Sequence, residues 1–340
     1  MPLAKLHISE LTDASSDNLW VKPMKDYNQH SAFQSQINVH NRAILKDQAE
    51  AISETSQSEF HLADFGCSHG KNSMECIKAA FDGYTGNPSS IRVYLNDLPT
   101  NDFGEVFKCL NDSAVSYNHH SLALQSKIST CVNGKSFSGQ CFPDDHLHLA
   151  FSFNCLHWME KHVNLSKAIV TTSHRVTPEE ASMLAKDAHA QLVCFLKSRA
   201  KELKKGGRLV MSFAKKSPAI DLLDDAWADY VQKKGYKVED FGPVAIPIYT
   251  RTDTQVQGVI DEVKSDFRTL HQDSDNQTPS ASGADVMRST TFNSLLAGLE
   301  KSNIFTSTSD CEAFIDGFYA SLERHDVSGI PLHTVVLERI

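Results

Sequence analysis

The stretch Glu59-Phe-His-Leu-Ala-Asp64-Phe-Gly66-Cys-Ser-His-Gly70-Lys-Asn-Ser73 decides the fold. An apolar run ends in an acidic residue, passes through a turn bounded by two glycines, and opens a segment with helical spacing over 71–82. Glycine takes positive φ without a Cβ penalty and lets backbone come close to a ligand. Strand, glycine turn and helix in that order put the turn at the carboxyl end of a strand, where open α/β sheets bind ligands. The pattern is neither the G-x-G-x-x-G dinucleotide fingerprint nor a Walker A loop. It suits a nucleoside ligand without a pyrophosphate. Taken alone, it also reads as an ordinary tight strand-to-helix turn.

The alternation continues on both sides. Tyr27 to about Ile52 carries Phe33, Ile37, Ile44, Ala51 and Ile52 at helix-like spacing. Ile91–Asn96 reads as a second strand, Phe103–Leu110 as a helix and Leu147–Phe153 as a third strand. Thr177-Pro-Glu-Glu180 is a helix start, with a threonine cap, a proline in the first turn and a glutamate that completes a capping box. That helix is expected to run to about Lys204, with Lys205-Gly206-Gly207 ending it. Arg208–Phe213 is a further strand, Ile220–Lys233 a helix and Leu332–Leu337 a closing strand. Strands alternating with helices predict a parallel, doubly wound α/β sheet. Over 236–330 the alternation fades and the chain reads as mainly helical, with a polar loop from Gln272 to Ala284. The expected organisation is a core of residues 1–235 plus 331–340 and a helical cap of 236–330.

Composition narrows the function classes. With 340 residues and 41% apolar content, the chain is long enough to bury a sizeable core. The net charge of −9 disfavours a general nucleic-acid binder, which ordinarily carries a basic surplus. No apolar run approaches the roughly 18 residues of a membrane span, and Met1-Pro-Leu-Ala-Lys-Leu-His7 has no apolar signal core. A soluble cytoplasmic protein is expected, with no membrane or nucleic-acid partner. The eight cysteines form no C-x-x-C pair and read as reduced thiols. His146 and His148 would share one face of a strand, but no carboxylate pattern flanks them, and no metal is expected.

Two further stretches bear on chemistry. In Leu95-Asn-Asp97-Leu98-Pro-Thr-Asn-Asp102-Phe103, Asp97 ends the second strand, placed to accept hydrogen bonds from ribose hydroxyls. Leu98 can then pack on an adenine face, and Asp102 reads as a helix N-cap. In Ser152-Phe-Asn154-Cys-Leu-His157-Trp158, a histidine and a tryptophan end the third strand and face the same crevice. As single residues, both are more often core.

Taken together, these motifs resemble the SABATH methyltransferases, the salicylate, benzoate, jasmonate and theobromine/caffeine type. The resemblance is carried by the glycine turn, the Asn96-Asp-Leu-Pro-x-Asn-Asp-Phe103 run and Leu156-His-Trp158, in that order. Tyr27-Asn-Gln-His-Ser31-Ala-Phe-Gln34 is similar to the family's N-terminal motif ending in Asn-Ser-x-x-Gln. Lys135–Pro143, Phe195–Leu203 with Gly206-Gly-Arg208, and Ile246–Thr250 are similar to its later motifs. The resemblance implies a Rossmann-like class I methyltransferase with a helical cap and S-adenosylmethionine as cofactor.

Carried over by motif, Tyr27, Ser31, Asp64 and Asn72, with Gly66 in the turn, hold the methionine end of that cofactor. Asp97 binds the ribose, Leu98 and Phe137 flank the adenine, Ser136 bonds near the adenosine, and Ser152 lines the sulfonium side. Gln34 and Trp158 match the pair that grips a substrate carboxylate, with Asn154 and His157 beside them. His30 stands where the family often has asparagine, and Asn154 where plant carboxyl methyltransferases usually have tyrosine. Both departures bear on the acceptor more than on the cofactor. The resemblance implies a methyl ester of a small, largely apolar acid as product, and a homodimer by analogy with plant relatives. N-methylation of a xanthine-like heterocycle and a non-catalytic cofactor binder are the alternatives.

Overall fold

The computed structural model describes residues 32–53, 58–160, 163–275, 283–322 and 331–340. A seven-stranded sheet forms its centre, in the order β3-β2-β1-β4-β5-β7-β6. The strands are β1 (Glu59–Phe65), β2 (Ser90–Asp97), β3 (Lys127–Gly134), β4 (Leu147–Phe153), β5 (Leu203–Ala214), β6 (Phe267–Asp275) and β7 (Leu332–Arg339). β1 to β5 pair in parallel, whereas β7 runs antiparallel to both β5 and β6. The strand order reverses between β1 and β4, which places the ligand crevice of an open α/β sheet at their carboxyl ends.

Helices cover both faces. We label them α1 (Ala32–Ser53), α2 (Lys71–Gly83), α3 (Phe103–Asn111), α4 (Ser121–Gln125), α5 (Pro178–Glu202), α6 (Pro218–Lys233), α7 (Asp253–Glu262), α8 (Gly283–Ser302) and α9 (Thr308–Leu322). Phe60 and Leu62 of β1 pack with Leu45 and Ala49 of α1 and with Ile77 and Ala80 of α2. α1 and α2 come close at Gly83, where a Cβ would lie 2.0 Å from the Lys46 carbonyl. Ala63 and Phe65 face the other side, with Leu192, Phe195 and Leu196 of α5 and Val256 and Val259 of α7. The one-residue alternation of a strand thus sends neighbours of β1 into two separate cores. The capping box at Thr177 is present in full: its hydroxyl accepts from Glu180 N at 3.3 Å, and the Glu180 carboxylate accepts from Thr177 N at 2.9 Å.

Three expectations need correction. β3 was not anticipated, so Leu147–Phe153 is the fourth strand in chain order. β3 is an edge strand whose exposed and half-buried residues alternate, which weakens its apolar signature. Lys205-Gly-Gly207 does not end a helix but lies inside β5, where the pairing with β4 shifts register between Leu147 and Leu149. Within the stretch 236–330, read as mainly helical, lies a strand, β6, the other edge of the sheet. Gln272–Asp275, expected as loop, belongs to β6, and Gly283 and Ala284 begin α8.

Packing groups α6, α8 and α9 with Trp158, Ile169, Ile246 and Ile248 in one apolar cluster. α7 joins the sheet layer instead. The boundary drawn at residue 235 therefore separates α6 from the helices it packs against. No helix among the described residues is long and apolar enough to cross a membrane.

Candidate functional site

The turn after β1 is held in an unusual conformation. Gly66 and Gly70 have φ of 103° and 89°, and Ser68 lies between them at 47°. Gly66 N and Cys67 N both donate to the Asn96 carbonyl, at 2.9 and 3.0 Å. Ser68 N donates to Asp97 Oδ2 at 2.6 Å, and Asn101 Nδ2 donates to the Ser68 carbonyl at 2.7 Å. A Cβ on Gly66 would sit 2.3 Å from Cys155 Sγ, so only glycine fits where β1 and the end of β4 meet.

Beneath the turn lies a recess of about 320 Å³, counting the space open to solvent. It is lined by Asp64, Gly66, Asn72 and Ser73, with Asn38 of α1 and Asn154 after β4. Asp64 is 4% exposed. Burial raises its pKa to about 7, and the Asp97 charge adds to that, partly offset by a hydrogen bond from Ser73. Burial likewise raises Asp97 to about 6, against the opposing hydrogen bonds from Ser68 and Leu98. The two carboxylates therefore share a site that favours an incoming positive charge.

The same recess offers donors. Among the described residues, Asn72 Nδ2 is buried with no hydrogen-bond partner, and no side chain caps the amino end of α2. An uncapped helix start leaves N–H groups free for an anion. Ammonium on a carboxylate and carboxylate on amide donors is the arrangement an amino-acid zwitterion needs.

The structure brings Asp64, Gly66 and Asn72 together in the recess, with Asp97 joined to it through Ser68. Phe137 stands over the turn, its ring 3.7 Å from where a Cβ on Gly66 would be. Leu98 follows Asp97 and donates its N–H to Oδ1 at 2.8 Å. Ser136 is not free: its hydroxyl donates to Glu160 Oε1 and accepts from Ser138 N. Ser152 does not line the recess, since it is 0% exposed and donates to the Phe65 carbonyl at 2.7 Å. Tyr27 and Ser31 lie outside the described residues, as does the side chain of Gln34, although its backbone is in α1.

Asn154 lines the recess from the end of β4, and the turn it begins runs on to His157 and Trp158, which are not part of that lining. Asn154 has φ of 60°, its N–H donates to the Ser212 carbonyl at 2.7 Å, and its Nδ2 donates to Asn38 Oδ1 at 3.1 Å. His157 Nδ1 accepts from Ala214 N at 3.3 Å, which places its proton on Nε2. Burial, with Arg251 nearby, pushes its pKa down to about 3. Trp158 is 9% exposed, bridges to Ile248 and has its carbonyl held by Gln191 Nε2 at 2.7 Å.

The Phe-Leu-x-x-Arg-x-x-Glu-Leu stretch acts as a brace. Arg199 and Glu202 are both 0% exposed and pair at 2.7 Å. Arg199 also donates to the Phe137 and Gly139 carbonyls, each at 2.8 Å, and Glu202 accepts from Cys141 N and Phe142 N. The pair thus fixes the loop that carries Ser136 and Phe137.

Asn38, Asn101 and Glu160 were missed by sequence reasoning. Each acts through a partner distant in the chain, so local spacing carries no signal for them. His148 Nδ1 accepts from His61 N at 2.9 Å and His146 Nε2 meets the Tyr94 hydroxyl at 2.6 Å. Among the described residues, no group of His, Cys, Asp and Glu is arranged to hold a metal ion.

Comparison with known proteins bears on the fold and the family. Loganic acid methyltransferase, solved with SAH, superposes over 94% of this chain and 98% of its own with a TM-score of 0.73; at 18% identity this is a likeness of fold. Methyltransferase FUS9 of Gibberella moniliformis is 28% identical over 244 residues, 69% of this chain and 65% of that one. A 3,7-dimethylxanthine N-methyltransferase of Coffea arabica is 26% identical over 237 residues, 62% of this chain and 61% of that one. The chain thus spans less than two thirds of the length of these two relatives. Residues 22–304 match the family model described as SAM dependent carboxyl methyltransferase. The chain belongs to that family, the SABATH methyltransferases that its motifs resemble.

Proposed function

We propose that the protein transfers a methyl group from S-adenosylmethionine to the carboxylate of a small, largely apolar acid, forming a methyl ester. The residues present fit the cofactor: the orphaned Asn72 amide and the buried Asp64 carboxyl suit the two charged groups of an amino acid. Bound there, the cofactor supplies an electrophilic methyl on a sulfonium. Asp64 would accept from its ammonium, while Asn72 and the start of α2 would donate to its carboxylate. Asp97 would accept from the ribose hydroxyls, and Leu98 and Phe137 would enclose the adenine. Ser136 would serve the adenosine end together with Glu160. Ser152 acts one step back, by holding the Phe65 carbonyl at the mouth of β1. Tyr27 and Ser31 are assigned to the methionine end by motif alone.

The observation that carries the carboxylate reading is the state of the Ser152–Trp158 turn, which in this reading is the acceptor wall. Cys155 and His157 are its titratable groups within Ser152–Trp158. Burial holds the Cys155 thiol protonated, and the His157 lone pair is already engaged by Ala214 N. Neither takes up a proton at neutral pH. A carboxylic acid, with an ordinary pKa near about 4, arrives ionised and needs no base, whereas a heterocyclic N–H must lose its proton. Gln34 and Trp158 would donate to the carboxylate oxygens, with Asn154 and His157 shaping the pocket. Orientation of this kind can contribute roughly 7–11 kcal/mol. Similarity to the xanthine enzyme favours N-methylation as the second reading.

The two readings separate on binding. Titrating SAH-loaded protein with acids and with xanthines should give heat from an acid. Trp158→Phe should raise the KM for that acid about tenfold, as expected for loss of a hydrogen bond to a charged group, and leave SAH affinity nearly intact. A parallel loss of SAH affinity would move Trp158 to the cofactor side.

A further inference from the structure

Arg199 and Arg251 are both buried, at 0% and 2% exposure, but among the described residues only Arg199 has a counter-charge. Arg199 is paired with Glu202. Among the described residues, no carboxylate lies within ion-pair distance of Arg251. Its guanidinium donates instead to three backbone carbonyls: Leu156 and Ala188 at 2.8 Å each, and Tyr249 at 3.5 Å. The guanidinium carbon lies 5.8 Å from the centre of the Phe213 ring and 5.7 Å from that of Tyr249. Buried charges are ordinarily paired, because removing an ion from water is costly. Carbonyl dipoles accept from Nη1 and Nη2 of Arg251 but leave its net charge in place.

Those carbonyls belong to the frame of the acceptor wall. Leu156 immediately precedes His157. Tyr249 N donates to the His157 carbonyl at 2.7 Å, and Ala188 lies in α5 one turn before Gln191, which holds the Trp158 carbonyl. Arg251 is itself fixed, its own carbonyl accepting from Lys216 N and facing His333 Nε2, each at 2.9 Å.

We propose that Arg251 is a positioning residue of the acceptor site: it clamps the Leu156–Trp158 turn from behind, and its unneutralised charge biases the site toward an anionic acceptor over a neutral one. The anion preference rests on the carboxyl-methylation reading. The clamp does not. A planar guanidinium spans three carbonyls, whereas a lysine ammonium keeps the charge without the fork.

The test uses the full chain loaded with SAH, as wild type, Arg251→Lys and Arg251→Met. Calorimetry compares indole-3-acetate with indole-3-acetamide, and benzoate with benzamide. SAH affinity should stay within about twofold in all three proteins, since Arg251 touches none of the described cofactor residues. The wild type should prefer acid to amide. Arg251→Lys should weaken both ligands and retain the preference, and Arg251→Met should reduce the acid-to-amide ratio about tenfold. An unchanged ratio in Arg251→Met overturns the charge role, and a parallel loss of SAH affinity reduces Arg251 to a general structural residue.

Titration of labelled His157 by NMR decides the point independently of any acceptor. Removing the guanidinium should raise the histidine pKa, and an unmoved pKa refutes the link between Arg251 and the turn. A wild-type protein that binds the amides as tightly as the acids refutes the anion preference. In that case the histidine titration still decides whether Arg251 governs the turn.

Discussion

Asn72 is where stability and function should part. Its Nδ2 is buried without a partner among the described residues, and an unmet buried donor costs about 1–3 kcal/mol. Asn72→Ala should therefore leave the ligand-free protein as stable as wild type or slightly more so in urea melts. SAH affinity should fall about tenfold. Loss of stability with normal SAH affinity would make Asn72 a structural residue. The paired carboxyls set a pH dependence. Asp64 and Asp97 are raised to about 7 and about 6 when no cation is present. The unfolded chain ionises these groups first, so the ligand-free fold loses their contribution as pH climbs from about 4 to about 7. Affinity for a ligand that brings an ammonium to Asp64 runs the other way, because only the ionised carboxylate attracts it. SAH should bind about tenfold more tightly at pH 7.5 than at pH 5.5 in calorimetry, and a flat profile would separate the ammonium from Asp64. These three residues were legible in the sequence because each sits within a few positions of a glycine turn or a strand end. Asn38 and Arg251 were not, since their roles depend on contacts that no local pattern encodes.

At the scale of elements, the Arg199–Glu202 pair joins α5 to the Ser136–Phe137 loop. Removing one member of a buried pair strands the other charge, at about 3–5 kcal/mol. Glu202→Ala should lower unfolding stability by about that much and weaken SAH binding through the loosened Phe137. A stable variant with a normal SAH Kd would show that the loop needs no brace. Strands buried on both faces were the readable ones. Leu147–Phe153 is buried at every position and was located to the residue. β3 and β6 were invisible for the opposite reason. Both are edge strands, and Arg268, Thr269, His271, Gln272 and Asp273 give β6 the composition of a loop. The capping box at Thr177 was legible because its two side chains answer each other within one turn. The far end of α5 was misjudged because a glycine pair also suits an irregular strand.

For the whole molecule, the recess joins three parts of the chain: α1 through Asn38, the β1–α2 turn, and the end of β4 through Asn154. Ligand binding should slow amide exchange in α1 and in residues 66–73, while β6, at the far edge of the sheet, should exchange as before. Uniform protection, or none in α1, would contradict a site shared by these parts. The central claim is that this crevice methylates a carboxylate, and methyl transfer tests it most directly. Purified protein should be incubated with methyl-labelled S-adenosylmethionine and a panel of benzoate-like, indole, fatty and terpenoid acids, with xanthines as the contrast. The account predicts label in a base-labile methyl ester of one acid class and none on xanthines. Label on a ring nitrogen, or no transfer to any acid by a protein that binds the cofactor, would contradict it.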